Sequence, residues 1–457
     1  MAMHRELELP LYIAGVPMID REPRIKVALL QDYKEAHVAL NGRFVLPDGR
    51  QTEGLLTIWT DQGMIVFADF SGKEMLRQKE ILMAPEGRAS FTVSDVKIGI
   101  DFHWQRIQDQ SFYGDLFLSA CSGFSFNLIN EILLEDYLES VISSEMSAAA
   151  PLEFLKAQAI VSRSWLVAML AKKKAARVMS LLRTENEIVA WQDANDHEGF
   201  DVCADDHCQR YQGITRIISK NVHEAIKETR GIFLVYNGEI CDARYYKSCG
   251  GQTEIYSTAW EDNSPEYLRS VSDEAVQHPS ILSEGQAEVW LNSKPAAYCN
   301  TTDKKLLGDI LPAFDQETAD FYRWQVVYTR QELEEILKKK SGIDFGVLRN
   351  IEPLARGPSG RIYRLKIEGS RKTVIVGKEL EIRRWLSESH LLSSAFVVSA
   401  ERNVQGDISR FIFHGGGWGH GVGLCQIGAA VMASKGFKAE EILTHYFTGA
   451  GLKKIYT

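Results

Sequence analysis

Residues 130–147 read NEILLEDYLESVISSEMS, and their apolar positions recur at intervals of three and four. That periodicity predicts an amphipathic helix. Glu145 lies four positions after Val141 and three after Ile142, so it is predicted to lie on the apolar stripe if the helix continues to Met146. Three other glutamates fall largely off the stripe and are predicted to be surface acids. They are Glu131, Glu135 and Glu139.

The position of Glu145 allows two interpretations. A carboxylate held against apolar neighbours has a raised pKa because desolvation disfavours its charged form. A raised pKa is what a general acid needs near neutral pH. Alternatively, Glu145 is a helix-terminal glutamate that leaves the stripe for solvent, and periodicity alone favours this second interpretation.

A second helix is predicted from residues 152–170, LEFLKAQAIVSRSWLVAML, with Pro151 as its first residue. Arg163 projects from an apolar surface of this helix, so its guanidinium needs a carboxylate from the adjacent helix. Gln158 shares a face with Leu155 and Ser162. We therefore expect Glu145, Gln158 and Arg163 to converge on one wall of a cleft, where a direct Arg163 contact would lower the pKa of Glu145.

Residues 197–213, HEGFDVCADDHCQRYQG, concentrate His197, Cys203, His207 and Cys208. Thiolates and imidazole are the usual zinc ligands, and three protein ligands leave one position open. We expect a site-organising zinc ion near the cleft, with His197 preferred over His207, which would point away from the adjacent Cys208 on a strand. A Cys203–Cys208 disulfide, or two unrelated buried thiols, is the alternative.

A glycine-rich loop lies near the C-terminus, where residues 414–429 read HGGGWGHGVGLCQIGA. Such density lets a ligand approach the backbone closely, yet the spacing matches no nucleotide-binding loop. Trp418 offers a face on which a sugar can stack, His420 is flanked by glycines, and Gln426 opens the following helix. Tyr246, in RYYKSCGGQTE, is expected to line the same cleft. Cys425, five residues after His420, raises the alternative of a Cys/His nucleophilic hydrolase.

The rest of the chain predicts an α+β fold with a β-rich N-terminal unit, because short alternating segments such as IKVALL and MIVFADF run from Arg24 to about Phe112. A helical region is predicted from about Asn130 to Lys174. We divide the chain into a leader (1–24), the β-rich unit (25–111), the first part of a catalytic core (112–274), an insert or elaboration (275–395) and the C-terminal part of the core (396–457).

Charge and cysteine content restrict the class of protein. The formal net charge of −9 over 457 residues argues against nucleic acid or an anionic membrane as the main partner. No stretch approaches the roughly 18 consecutive apolar residues of a membrane helix, and Met1–Pro10 lacks a secretory apolar core. The chain is therefore either cytosolic or lacks a leader that has been removed. Seven widely spread cysteines exclude a disulfide-stapled miniprotein.

These segments, in this order, resemble the SpoIID/LytB family of bacterial cell-wall proteins. The resemblance runs from about Phe112 to the C-terminus, interrupted by 275–395, and the N-terminal 110 residues carry no recognisable motif. The family often has serine where Cys425 stands and more often Arg-Thr where Arg163-Ser164 stands. The matching segments are LEDYLESVISSEMS, LKAQAIVSRSW, CQRYQG, YYKSCGGQTE, GGGWGHGVGLCQIGA, AAVMASKG and EEILTHYF.

The resemblance implies lytic transglycosylase activity on peptidoglycan strands stripped of stem peptides, with Glu145 as acid and then base and Arg163 as an important arginine. It implies zinc ligands at His197, Cys203 and Cys208, and a place in the cell envelope, outside the cytoplasm. The LytB side of the family implies a different role, a non-catalytic peptidoglycan-binding partner that stimulates a cell-wall amidase. The Cys425/His420 hydrolase is a third hypothesis.

Overall fold

A computed structural model describes residues 12–13, 16–17, 21–99, 105–122, 124–175, 181–190, 197–205, 208–215, 219–312, 315–316 and 320–457. The chain forms two compact units. Unit 1 comprises Met1–Arg163, Asp196–Phe233 and Lys453–Thr457, and unit 2 comprises Ser164–Asn195 and Leu234–Leu452.

Strands and helices are numbered in chain order. The strands are β1 (Tyr12–Ile13), β2 (Val16–Pro17), β3 (Arg24–Tyr33), β4 (Glu35–Val45), β5 (Gln51–Asp61), β6 (Met64–Asp69), β7 (Glu74–Gln78), β8 (Glu80–Pro85), β9 (Ser90–Ile98), β10 (Arg106–Phe112), β11 (Asp115–Cys121), β12 (Ser125–Leu133), β13 (Leu181–Arg183), β14 (Glu187–Ala190), β15 (Val202–Cys203), β16 (Ile232–Tyr236), β17 (Glu239–Ile240), β18 (Tyr245–Tyr246), β19 (Arg323–Thr329), β20 (Leu348–Arg356), β21 (Ile362–Gly369), β22 (Thr373–Gly377), β23 (Phe396–Arg402), β24 (Ile408–Gly416), β25 (Leu424–Cys425) and β26 (Gly451–Lys454). The α-helices are α1 (Leu134–Glu145), α2 (Leu152–Ala175), α3 (Lys220–Thr229), α4 (Glu284–Asn292), α5 (Lys304–Ile310), α6 (Arg330–Ser341), α7 (Glu379–Trp385), α8 (Gln426–Ser434) and α9 (Ala439–Tyr446).

Unit 1 is built on a large sheet with the strand order β15-β3-β12-β11-β8-β4-β5-β6-β7, to which β9 and β10 are attached through β4. Its pairings are antiparallel apart from the parallel β15–β3 pair. Alternation of apolar and polar residues buries one face of strands such as β4 and β9, where Phe44 and Phe91 are buried, whereas β6 buries the consecutive residues Val66 and Phe67. The predicted β-rich N-terminal unit is therefore confirmed.

Tight turns fix the register of these strands. Asp61 pairs with Met64 across the β5–β6 hairpin, and the two turn residues, Gln62 and Gly63, have φ values of 49° and 75°. Positive φ at both central residues is the geometry of a type I′ turn, whose twist matches that of the flanking strands. The hairpin thereby sets which side chains of β5 and β6 face the core.

Unit 2 contains a five-stranded sheet with the order β13-β14-β22-β21-β20 and an antiparallel three-stranded sheet with the order β19-β24-β23. Its largest described apolar cluster joins residues of both sheets to α6 and α7, and Trp385 of α7 is almost completely buried there. The short strands β18 and β25 pair in parallel, with Tyr245 opposite Leu424 and Tyr246 opposite Cys425. The α+β fold class predicted from sequence is confirmed.

The predicted start of the helical region at Asn130 is wrong by four residues. Residues 130–133 continue β12, because this strand pairs with β11 on one side and β3 on the other and buries Asn130 and Ile132 in the sheet. Helix α1 begins at Leu134, and α2 begins one residue after Pro151. The five-segment division of the chain stays a prediction.

One described helix passes a length-and-composition test for a membrane span, over Leu152–Lys172. Within this stretch, 78% of the most apolar window is buried inside the protein. Core helices commonly pass the same test, so it gives little support for a span, and Glu153 and Arg163 interrupt its apolar sequence.

Candidate active site and metal site

Glu145 is the last residue of α1 and is half-buried. Val141 and Ile142, one turn earlier on the same side of the helix, are completely buried, in accordance with the predicted apolar stripe. The Oε1 atom of Glu145 accepts a hydrogen bond from the backbone N–H of Arg210 at 3.0 Å. The carboxylate thus lies at the edge of the buried face, where it is fixed by a backbone donor and remains partly accessible.

The segment 208–212, CQRYQ, holds that donor in place through its other contacts with unit 1. The Tyr137 hydroxyl donates to Gln209 Oε1 at 3.0 Å, and the Gln212 N–H donates to Ser140 Oγ at 3.1 Å. Tyr211 stacks on Tyr137 and donates from its hydroxyl to Asn130 Oδ1 at 2.6 Å. Because these partners lie on α1 and on the strand before it, the segment and the Glu145 helix form one ordered piece.

The predicted metal ligands come together at the start of the same segment. His197, Cys203 and Cys208 each offer a ligand atom within 4.8 Å of the other two, and His197 Nε2 is 3.0 Å from Cys208 Sγ. Cys203 is fixed on β15, which pairs with Ala28 of β3. Two thiols and an imidazole are a suitable donor set for a divalent metal, and His207 lies outside the described residues.

Arg163 binds Glu135, whereas the sequence suggested a possible contact with Glu145. Its Nε and Nη2 atoms donate to the two carboxylate oxygens of Glu135 at 3.0 and 2.5 Å, and both side chains are almost fully buried. Glu135 Oε1 also accepts from the Gly231 N–H at 3.1 Å and the Tyr456 hydroxyl at 2.5 Å. The prediction of Glu135 as a surface acid is wrong because partners distant in sequence surround it.

Gln158, the third residue expected on the cleft wall, is completely buried. Its Nε2 atom donates to Ser162 Oγ at 3.2 Å, one turn along α2. Its Oε1 atom has no hydrogen-bond partner among the described residues. Gln158 and Arg163 are thus interior side chains, and their assignment to substrate binding and catalysis stays a prediction.

The predicted sugar-binding residues of the glycine-rich loop belong to unit 2. Trp418 is half-buried and stacks on Phe321 with ring centroids 4.9 Å apart. Its backbone exchanges two hydrogen bonds with Ser248, at 2.7 and 3.1 Å, which ties the loop to the YYKSCGG segment. Gly250 has a φ of 76°, and a Cβ there would meet the Gly417 nitrogen at 2.7 Å, so these two loops can approach only through glycine.

His420 and Tyr246 form an aromatic contact in this region, with ring centroids 5.3 Å apart. His420 Nδ1 accepts from the Val422 N–H at 3.1 Å. Burial, reinforced by nearby arginines, lowers the pKa of His420 well below its usual value. Burial raises the pKa of Tyr246, whose hydroxyl has no partner among the described residues.

Gln426 begins α8, as predicted, and is buried. The preceding Cys425 is completely buried, with its thiol accepting the Cys249 N–H at 3.3 Å. Burial alone would raise the pKa of Cys425, but hydrogen bonds with Cys249 and Cys299 lower it to about 6. A low thiol pKa favours a nucleophile, yet complete burial argues against attack on a polymeric substrate.

Two regions of the chain match known family profiles. The profile of the Stage II sporulation protein family, SpoIID, matches residues 123–236, which include α1, α2 and the predicted metal ligands. This part of the chain is similar to the SpoIID family. A domain of unknown function (DUF8618) matches residues 254–423. The resemblance inferred from the motifs is thus confirmed for the family.

Three relatives are similar to this chain over more than two thirds of its length. An uncharacterized protein of Brachyspira hyodysenteriae is 25% identical over 82% of each chain. The amidase enhancer of Bacillus subtilis is 26% identical over 69% of this chain but only 40% of its own length. Stage II sporulation protein D of Bacillus subtilis is 23% identical over 71% of this chain and 76% of its own.

Sequence reasoning singled out the matching residues but missed those that position them. The sequence pattern predicts a surface position for Glu135, and it indicates no role for Gln209, Arg210 or Tyr211 within the matching segment CQRYQG. The signal available was their place directly after Cys208, since residues beside a metal ligand often fix its loop.

The metal site yields a direct prediction. If His197, Cys203 and Cys208 bind zinc, Cys208→Ser should lower the zinc bound per chain by one equivalent, because it removes one of the three ligands. Metal content of the purified full chain would be measured by plasma mass spectrometry, with Cys121→Ser, a half-buried thiol of the same unit, as the control. Unchanged zinc in Cys208→Ser, or a Cys203–Cys208 disulfide in the intact mass, would contradict the assignment.

Proposed function

We propose that this protein is a peptidoglycan lytic transglycosylase of the cell envelope, with Glu145 as its general acid and base. The observation that carries the proposal is the half-buried carboxylate at the end of α1, fixed by the Arg210 N–H. Such a carboxylate is accessible to a substrate and held in one orientation, as acid–base catalysis requires.

The chemistry needs one carboxyl group. Glu145 would protonate the glycosidic oxygen between N-acetylmuramic acid and the following N-acetylglucosamine while the muramic acid's own C6 hydroxyl attacks C1. The carboxylate would then take the proton of that hydroxyl. The C1–O4 bond breaks, a C1–O6 bond forms, and the products are a 1,6-anhydro end and a free 4-hydroxyl, with no water consumed. Ordinary glycosidases need two carboxyl groups because water or an enzyme nucleophile must be activated.

The metal ligands support this role by position. A zinc ion held by His197, Cys203 and Cys208 would act as a cross-link that orders the segment carrying the Arg210 N–H. Zinc is proposed here as a structural cofactor, and no step of the reaction is assigned to it. In unit 2, the half-buried Trp418 is proposed as a stacking surface for a sugar, and Tyr246, His420 and Gln426 as further substrate-binding residues.

Incubation of the purified protein with denuded glycan strands tests the proposal. Mass spectrometry should detect peptide-free glycan fragments that end in 1,6-anhydro-N-acetylmuramic acid. Each should be lighter by one water molecule than the fragment that hydrolysis would give. Reducing ends produced by hydrolysis, or intact strands, would contradict transglycosylation.

A second candidate function rests on the similarity to the amidase enhancer of Bacillus subtilis. A binding role would make the protein a partner of a cell-wall amidase, without cleavage of the glycan. Adding the protein to an amidase digest of cell walls distinguishes the binding role from glycan cleavage. Stimulated release of peptides without anhydro ends would favour the binding role.

A further inference from the structure

Three thiols and one carboxylate of unit 2 meet in its interior. Cys249, Cys299, Cys425 and Asp273 each offer a ligand atom, and these four atoms all lie within 4.8 Å of one another. All four residues are at most 3% exposed. They belong to four separate parts of the chain, and Asp273 and Cys299 lie inside the DUF8618 match whereas the other two flank it.

The spacing of the sulfur atoms fits a shared ion better than a disulfide. Cys249 Sγ is 3.4 Å from Cys299 Sγ, whereas bonded sulfurs are about 2.0 Å apart. Zn–S bonds of about 2.3 Å in tetrahedral geometry would separate two sulfurs by about 3.8 Å. A small adjustment of these side chains would therefore accommodate one ion, with four protein ligands closing its coordination.

Backbone and side-chain donors orient the four ligands. The Gly251 N–H donates to Cys249 Sγ, and the Cys249 N–H donates to Cys425 Sγ, both at 3.3 Å. Asp273 accepts from the Cys299 N–H at 2.7 Å and from the Tyr446 hydroxyl at 2.5 Å. Outer donors of this kind are typical of metal ligands, because they fix the ligand and stabilise its charge.

The two arginines near the cluster bind carbonyl oxygens of its loop. Arg361 Nη1 donates to the carbonyl oxygen of Cys249 at 3.3 Å, and Arg323 Nη1 donates to that of Gly250 at 2.9 Å. These guanidinium groups thus leave the thiols to hydrogen bonds with backbone N–H groups and to contacts with one another. Buried anionic ligands are stable when they are paired or coordinate a metal.

We propose that Cys249, Cys299, Cys425 and Asp273 form a second metal site that binds one structural Zn²⁺ or a similarly thiophilic divalent cation. Each thiol releases its proton to solvent as it binds, so the ion is held by three thiolates and one carboxylate. Sulfur-rich tetrahedral sites select such ions. This site is separate from the His197 site and does not depend on the proposed function.

The proposed ion would fix the loops that carry the candidate sugar-binding residues. Cys425 directly precedes Gln426, and the Ile427 N–H donates to the Lys247 carbonyl at 3.1 Å. Cys249 follows Ser248, whose backbone pairs with that of Trp418. Coordination of Cys249 and Cys425 by one ion would therefore cross-link the YYKSCGG segment to the glycine-rich loop and to the start of α8.

Metal content of the full chain tests the site, after purification under reducing conditions and loading with Zn²⁺ alone. We expect two zinc ions per wild-type chain, and one each for Cys425→Ser and Asp273→Asn. The matched control is Cys241→Ser, since Cys241 is also buried in unit 2 but lies outside the cluster. Serine is expected to be tolerated at 425, where the family often has it.

A second measurement leaves the cluster intact. The Cys203→Ser/Cys208→Ser double variant, titrated with Co²⁺, should bind one ion and show a sulfur-to-cobalt charge-transfer band together with the intense visible absorption of tetrahedral cobalt. Absence of that band, an unchanged zinc content in both Cys425→Ser and Asp273→Asn, or a Cys249–Cys299 disulfide in the reduced, zinc-loaded protein would overturn the proposal.

Discussion

Glu145→Gln is expected to lower the rate of glycan-strand cleavage by roughly 10²–10⁴-fold, the contribution of a positioned acid–base group. An amide of nearly the same shape preserves the acceptor for the Arg210 N–H, but it cannot donate a proton to the glycosidic oxygen or take one from the C6 hydroxyl. The rate of formation of 1,6-anhydro ends would be measured at saturating strand concentration.

Glu139→Gln is the matched control for this variant. Glu139 lies on the same helix, and its carboxylate contacts His223 Nδ1 at 2.9 Å. The control should cleave strands at the wild-type rate and unfold at the same temperature as Glu145→Gln. Equal cleavage by Glu145→Gln and wild type would exclude Glu145 as the acid.

Local patterns predicted the elements of the site better than they predicted its contacts. The three- and four-residue spacing placed Glu145 on a helix whose adjacent residues are indeed buried, and the close spacing of His197, Cys203 and Cys208 indicated a cluster that the structure brings together. Each of these features is encoded within about twenty residues. The structure completes both features with partners that are distant in sequence, namely the Arg210 N–H at Glu145 and the pairing of Cys203 with Ala28 of β3.

Local sequence patterns did not predict contacts between residues that are distant in the chain. Glu135 looks like a surface acid because its partners lie near residues 163, 231 and 456. Cys249, Cys299 and Cys425 are similarly separated by 50 and 126 positions, so no local motif predicted that they cluster with Asp273. Sequence reasoning singled out only Cys425 among them, and it did so as a nucleophile.

The second large effect is expected from the buried ion pair of unit 1. Arg163→Met should lower the free energy of unfolding by about 3–5 kcal/mol, because it leaves the Glu135 carboxylate buried without its cation. Urea denaturation of the full chain, followed by circular dichroism, would measure the loss. Arg77→Met is the control, since the same change at a largely exposed ion pair of unit 1 should alter stability far less.

A double variant separates the cost of an unpaired charge from the value of the pair. Glu135→Leu/Arg163→Met removes both charges, so it should be clearly more stable than Arg163→Met alone, as apolar replacements of buried pairs often are. The recovery should be incomplete, because the Gly231 N–H and Tyr456 hydroxyl lose their acceptor. If the loss of stability in the double variant equalled the sum of the losses in the two single variants, charge pairing with Glu135 would not be the role of Arg163.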